Sequence, residues 1–146
     1  MRKYIENGGD LIVSGTYIAS DLFDTGSAPG SKEFARNVLG IDKTDGPISV
    51  SGRLLIEGNN SFRSKNLNYS NTLNENCYIV ENPDIVKPAD GMDATVFLKF
   101  SDTSLPAGVL TKKGKSRIVV TTVPFETISQ DQQTQLMKDF LQFISH

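Results

Sequence analysis

Leu11-Ile12-Val13-Ser14-Gly15-Thr16-Tyr17-Ile18-Ala19-Ser20-Asp21 is the stretch on which the reading of the fold turns. A short, continuous apolar run, Leu11 to Val13, stops at Ser14-Gly15. That pattern predicts a strand buried on both faces, as in a parallel sheet. Thr16 to Phe23 comes next, with enough helix-forming residues for one or two turns. A strand that enters a tight glycine turn and then a helix places the turn at the mouth of an α/β sheet, where ligands and nucleophiles sit. Tyr17 occupies the centre of that turn.

Upstream, Arg2 to Asn7 reads as the end of a helix closed by Gly8, with Gly9 and Asp10 leading into the strand. Downstream, Thr25 to Gly30 is a loop by composition. Ser31 is placed to cap a helix over Lys32 to Leu39, whose Phe34, Ala35, Val38 and Leu39 share a face, with Gly40 at its end. Ile41 to Pro47 is turn-rich. Ile48 to Glu57 carries strand signals broken by Gly52. Asn59 to Asn76 holds seven Asn and few apolar residues. Side chains that compete for backbone hydrogen bonds make this an expected surface excursion, and one long enough to bind something.

Cys77 to Val80 is a short strand candidate, and Pro83, Pro88 and Gly91 punctuate the segment after it. Thr95 to Phe100 reads as a strand. Ala107 to Leu110 and Arg117 to Val123 flank Lys112-Lys113-Gly114-Lys115, a hairpin turn. The second arm is almost entirely β-branched and is expected inside the sheet. Pro124 ends it. Ser129 with Gln132 predicts a capping box for a helix running to Ile144, with Leu136, Met137, Phe140, Leu141 and Ile144 on one face. If Leu11–Ser14 and Ile118–Val123 lie in one parallel sheet, their ends open on the same edge. Tyr17 and Glu126 would then converge.

A chain of 146 residues with net charge −2 and pI near 5.3 suits one domain, 1–146, which on folding buries about 68–70% of its unfolded surface. Its 15 Lys and Arg are scattered, which argues against nucleic acid, since that needs a concentrated basic face. One cysteine, Cys77, excludes an internal disulfide and a Cys-based zinc cluster. No apolar run is long enough for a membrane span, and Met1-Arg2-Lys3 leads into no apolar signal region. The expectation is a fragment of a longer bacterial precursor, secreted or periplasmic.

Two segments resemble a known family. The turn at Gly15 and Tyr17, with Val123-Pro124-Phe125-Glu126 near the C-terminus, is similar to class I glutamine amidotransferase-like domains. More extensively, Gly8-Gly9-Asp10-Leu11-Ile12-Val13-Ser14-Gly15-x-Tyr17-Ile18, Phe34-Ala35-x-x-Val38-Leu39, Pro88-Ala89-Asp90 and Pro124-Phe125-Glu126-Thr127-Ile128 resemble a domain of bacterial proteins designated xanthan lyases. The resemblance implies a flavodoxin-like α/β fold: a mixed, mostly parallel sheet flanked by helices, here lacking the first strands.

It also implies lost chemistry. The amidotransferase turn is Gly-x-Cys-x-Gly-x-Gln; here Gly15 is kept, while Tyr17, Ala19 and Asp21 replace the rest. Pro124 stands at the histidine position, and only the glutamate survives, as Glu126. Thiol–imidazole catalysis needs a thiolate and a base in hydrogen-bond reach. Cys77 lies outside the turn and the one histidine is His146. A lyase would need a base and a cationic or metal clamp, whereas Arg36, Arg53, Arg63 and Arg117 are dispersed.

The leading expectation is therefore a non-catalytic structural or ligand-binding domain of a larger exported protein, with glycan as a candidate ligand. Its candidate binding residues are Thr16, Tyr17, Ser20, Asp21 and Glu126, with no cofactor and no metal. Asp21, Asp24, Asp90 and Asp93 match no calcium-loop spacing. The alternatives are a polysaccharide-active enzyme using Tyr17 with Asp21 or Glu126, and a small-molecule binding module at the same strand ends. Expected partners are other domains of the parent protein, a homodimer through an exposed sheet edge, or polysaccharide.

Overall fold

The computed structural model describes residues 1–59, 61–72 and 79–145. Its centre is a six-stranded sheet in the order β1 (Leu11–Ser14), β8 (Ser116–Thr121), β7 (Pro106–Lys113), β6 (Asp93–Phe100), β3 (Arg53–Ile56) and β4 (Lys65–Asn68). It curls into a half-barrel. A separate antiparallel ribbon joins β2 (Ile41–Thr44) to β5 (Ile85–Pro88).

This corrects the expected flavodoxin-like, mostly parallel sheet. Only β1 and β8 pair in parallel, with Leu11 opposite Ile118 and Ser14 opposite Thr121. Every other pairing in the sheet is antiparallel. The physical reason lies in the connections. Lys113 pairs with Ser116 across a two-residue turn, and residues 101–105 join β6 to β7. Neighbouring strands joined so tightly must run antiparallel, because a parallel return needs a crossover of about a dozen residues or more. The chain between β1 and β8 is long enough for such a return, and that pair alone is parallel.

The β-branched run of β8 lies between β1 and β7 and is buried on both faces. Its side chains alternate as a strand requires. Ile118 and Val120 join a cluster with Ile5, Ala35, Val38 and Ile41, under α1 (Arg2–Glu6), α2 (Ile18–Phe23) and α3 (Ser31–Phe34), which continues as a π-helical turn over Ala35–Leu39. Val119 points to the other cluster, built around α4 (Gln130–Ile144). There, Phe140 meets Phe97 edge to face with ring centroids 5.9 Å apart, and Phe62 packs on Phe97 at 5.0 Å.

Gly40 ends α3's π-helical turn with φ of 73°. A Cβ there would lie 2.3 Å from the Thr111 hydroxyl oxygen, which donates a 2.8 Å hydrogen bond to the Leu39 carbonyl. Glycine is therefore required both by the left-handed backbone and by the close approach of β7.

Several local expectations change. Gly30, not Ser31, precedes α3. The turn-rich Ile41–Pro47 contains β2, the Asn-rich excursion contains β4, and the Pro83–Gly91 segment contains β5. Ser129 and Gln132 form no capping box. Gln132 instead reaches the edge of β4, accepting from Asn68 N–H at 2.8 Å and donating to the Asn66 carbonyl at 3.2 Å. The free edge of β4 is thus covered, while β1 pairs only with β8 among the described residues. Cys77 and Tyr78 of the Cys77–Val80 strand candidate, and His146, lie outside the described residues, and Ile79 and Val80 form no strand. On α4, Leu136, Phe140 and Phe143 are buried, whereas Leu141 is 48% exposed.

That last contrast sets a test. Phe140→Ala removes a ring from a closed aromatic cluster and is expected to cost about 3–5 kcal/mol. Leu141→Ala, on the wet side of the same helix, is expected to cost less than about 1 kcal/mol. Urea unfolding of both variants measures the difference.

Candidate functional site

The parallel pair brings the ends of β1 and β8 to one edge of the sheet. Gly15 N–H donates to the Thr121 carbonyl at 3.1 Å, continuing the ladder one residue beyond β1. Phe125 N–H then donates to the Ser14 hydroxyl at 3.3 Å, which anchors the chain after β8 to the end of β1. The ends of β1 and β8 therefore lie side by side at this edge.

A cleft of about 460 Å³ opens at the turn, walled by Thr16, Tyr17, Ile18, Asp21 and Ile79, with Ser14 and Gly15 at its base. Tyr17 is 49% exposed. It stands at the N-cap position of α2, and its carbonyl receives the Asp21 N–H at 2.8 Å. Of the five sequence candidates, Thr16, Tyr17 and Asp21 line the cleft. Ser20 and Glu126 do not. Glu126 lies exposed on the 3-10 turn Phe125–Thr127.

Ser20 has a different task. Its hydroxyl donates to Asp84 Oδ1 at 2.6 Å, and its N–H donates to Asp84 Oδ2 at 2.7 Å. Asp84 N–H in turn donates to the Thr16 carbonyl at 3.0 Å. One buried carboxylate, 64 residues away, thereby satisfies an unpaired N–H in the first turn of α2 and complements the positive end of that helix. Lys43 Nζ completes the group, 3.0 Å from Ser20 Oγ and 3.3 Å from Asp24. Asp84 carries no local motif and is not among the candidates read from the sequence.

This arrangement ties the first turn of α2 to the residue before β5. Ser20 is held as a donor to a carboxylate beside an ammonium already paired with Asp24. No buried side-chain polar atom among the described residues lacks a partner. Among those residues, no group of three or more His, Cys, Asp or Glu is placed to hold a metal ion.

The displaced acidities lie elsewhere. At Asp102, burial would raise the carboxyl pKa, but donors from Val50 N–H, Ser49 Oγ and Ser51 N–H outweigh it, and the pKa falls below the ordinary value. Burial raises the Tyr69 phenol, against its hydrogen bond with Ser49 and with a push from Asp102. These groups pin the loop before β3 to the β6–β7 turn and line no cleft at the strand ends.

The sequence matches no protein-family model and no curated protein. The backbone is similar to part of larger solved structures, three beta-galactosidases among them. Over 92% of this chain it follows the beta-galactosidase of Bacillus circulans sp. alkalophilus, at 15% identity, 18% of that chain and a TM-score of 0.57. Over 95% it follows the beta-galactosidase of Rahnella sp. R3, at 16% identity, 19% of that chain and a TM-score of 0.58. Over 96% it follows Gan42B, a GH42 beta-galactosidase, at 14% identity, 18% of that chain and a TM-score of 0.55. The chain thus spans about a fifth of the length of these proteins, and the likeness defines the fold. It replaces the amidotransferase-like assignment suggested by Gly15, Tyr17 and Glu126. No helix among the described residues is long and apolar enough to cross a membrane.

Two outcomes are expected. Asp84→Ala strips the α2 turn of its cap and should cost about 1–2 kcal/mol in thermal or urea unfolding. For Asp102, the folded pKa lies below the unfolded one, so its stabilisation is present above about pH 4 and is lost as pH falls through the folded value. Asp102→Asn should remove that part of the acid dependence in unfolding measured between pH 7 and pH 2.

Proposed function

We propose that the chain is a non-catalytic domain of a larger carbohydrate-handling protein, and that the strand-end cleft binds a sugar. One observation carries the reading: a half-exposed aromatic ring, Tyr17, shares an open cleft with the Thr16 hydroxyl and the Asp21 carboxylate. A sugar presents an apolar C–H face and a rim of hydroxyls. An aromatic face with a few polar groups beside it complements both. The likeness of the fold to part of three beta-galactosidases supports a glycan as the ligand class. Among the described residues β1 has no partner on its outer edge, which suits an adjoining domain of the same protein, since unpaired strand edges are managed by pairing or covering.

The reading favours binding over turnover because, among the described residues, the cleft is lined by no Lys, Arg or His that could clamp a developing charge beside Tyr17. Lys43, the nearest cation in the network, is held by Ser20 and Asp24.

Titration with β-1,4-galactobiose, followed by amide shifts, tests this. Shifts are expected in Thr16–Asp21. Tyr17→Ala should weaken binding about tenfold or more, while Tyr17→Phe, which keeps the stacking face, should retain most of it. Release of reducing sugar by the wild-type chain, abolished in Tyr17→Phe, would overturn the non-catalytic reading. Absence of shifts in Thr16–Asp21 would remove the cleft as a galactoside site.

A further inference from the structure

On the α4 side of the sheet a second, larger hollow of about 640 Å³ lies between Asn59 with Ser61 to Lys65 and α4. An adjoining recess of about 260 Å³ shares Asn59 and Ser61 with it and extends the hollow toward β6 and β7. Together they form a groove rather than a single pit, within the size range of ligand sites. Its α4 wall is Gln135, Asp139 and Gln142, spaced so that they follow one stripe of the helix.

The polar groups of this groove divide into two sets. Some are already engaged. Lys65 pairs with Asp139 and Gln135 Nε2 donates to Asp139 Oδ1 at 2.9 Å, so both carboxylate oxygens have partners. Asn59 Oδ1 accepts from Ser61 and Phe62 N–H groups and shapes the bend of the segment. The others are available. Arg63 and Gln142 make no hydrogen bond or ion pair among the described residues, and both are exposed. The hydroxyls of Ser61 and Ser64 line the groove as well.

The charges decide the ligand. Asp139 neutralises Lys65, and Lys112 stands opposite Asp93 in the β6–β7 register. The surplus is the Arg63 guanidinium, on a chain whose net charge is −2. A guanidinium with unspent donors selects a carboxylate, which it can hold by two parallel hydrogen bonds. The remaining groups are amides and hydroxyls, suited to vicinal hydroxyls. Among the described residues no exposed aromatic ring lines the groove, since Phe62 and Phe143 are both buried.

We propose that this groove is a second binding site, and that its ligand is an acidic oligosaccharide whose carboxylate pairs with Arg63 while its hydroxyls engage Gln142, Ser61 and Ser64. This site is independent of the Tyr17 cleft and stands if that cleft binds nothing.

Amide shifts of the full chain are followed with trigalacturonate, galactotriose and a hexaglutamate peptide as probes. Trigalacturonate is expected to shift Ser61–Lys65 and Gln135–Gln142, more weakly at high salt. Arg63→Gln should weaken it about fivefold or more, and Tyr17→Ala should leave it unchanged. Galactotriose should bind this groove several-fold more weakly than trigalacturonate. Silence of both segments, or an unchanged affinity in Arg63→Gln, would overturn the site. Equal binding of galactotriose would overturn the acidic class, and equal binding of hexaglutamate would overturn the sugar. Arg63 is exposed, and the spectrum of the variant reports whether its fold is intact.

Discussion

β8 is held on one side by a tight hairpin and on the other by a parallel neighbour, and the rest of the molecule depends on that double constraint. The two-residue turn at Gly114-Lys115 makes β7 antiparallel to β8. β1 takes the remaining side in parallel. Because β8 is buried on both faces, each face needs its own cover: the short helices and the β2–β5 ribbon on one, α4 on the other. The parallel step also fixes where two chain turns meet. The Gly15–Tyr17 turn and the Pro124–Glu126 turn leave the sheet at the same end because β1 and β8 run in the same sense.

The cleft at that end is maintained from a distance. Asp84, at the start of β5, reaches the first turn of α2 through both carboxylate oxygens, and its own N–H holds the Thr16 carbonyl. The small ribbon is therefore coupled to the turn that carries Tyr17. A helix of six residues has little stability of its own. Its position comes from this clamp and from Ala19 and Ile18 packing into the core. Tyr17 is left partly in solvent at the edge of the cleft.

Much of the element order was legible. The Leu11–Val13 run, the β-branched Ile118–Val123 arm, the Lys113–Lys115 turn and the amphipathic C-terminal helix all carry strong local signals. The fold class was not legible from the continuous apolar strands, because a strand buried on both faces looks the same in a parallel and in a mixed sheet. The hairpin was the better guide to strand direction. β2, β4 and β5 escaped notice because four-residue strands with Asp, Lys, Asn or Pro have almost no pattern of their own. Their pairing is tertiary. The turn that holds Thr16, Tyr17 and Asp21 could be read from the sequence. Asp84 could not, since its role depends on a contact across 64 residues. Gln132 illustrates the opposite error: a good local capping signal was overridden by the unsatisfied edge of β4.

The most direct test of the account is the strand direction between Leu11–Ser14 and Ile118–Thr121, read from interstrand nuclear Overhauser effects. A parallel pair in the described register gives amide-to-Hα contacts linking Ile12 and Val13 to Val119 and Val120, without close Hα–Hα pairs. That is the predicted result. Close Hα–Hα contacts between these segments, or none at all, would contradict the architecture and separate the two turns that form this end of the molecule.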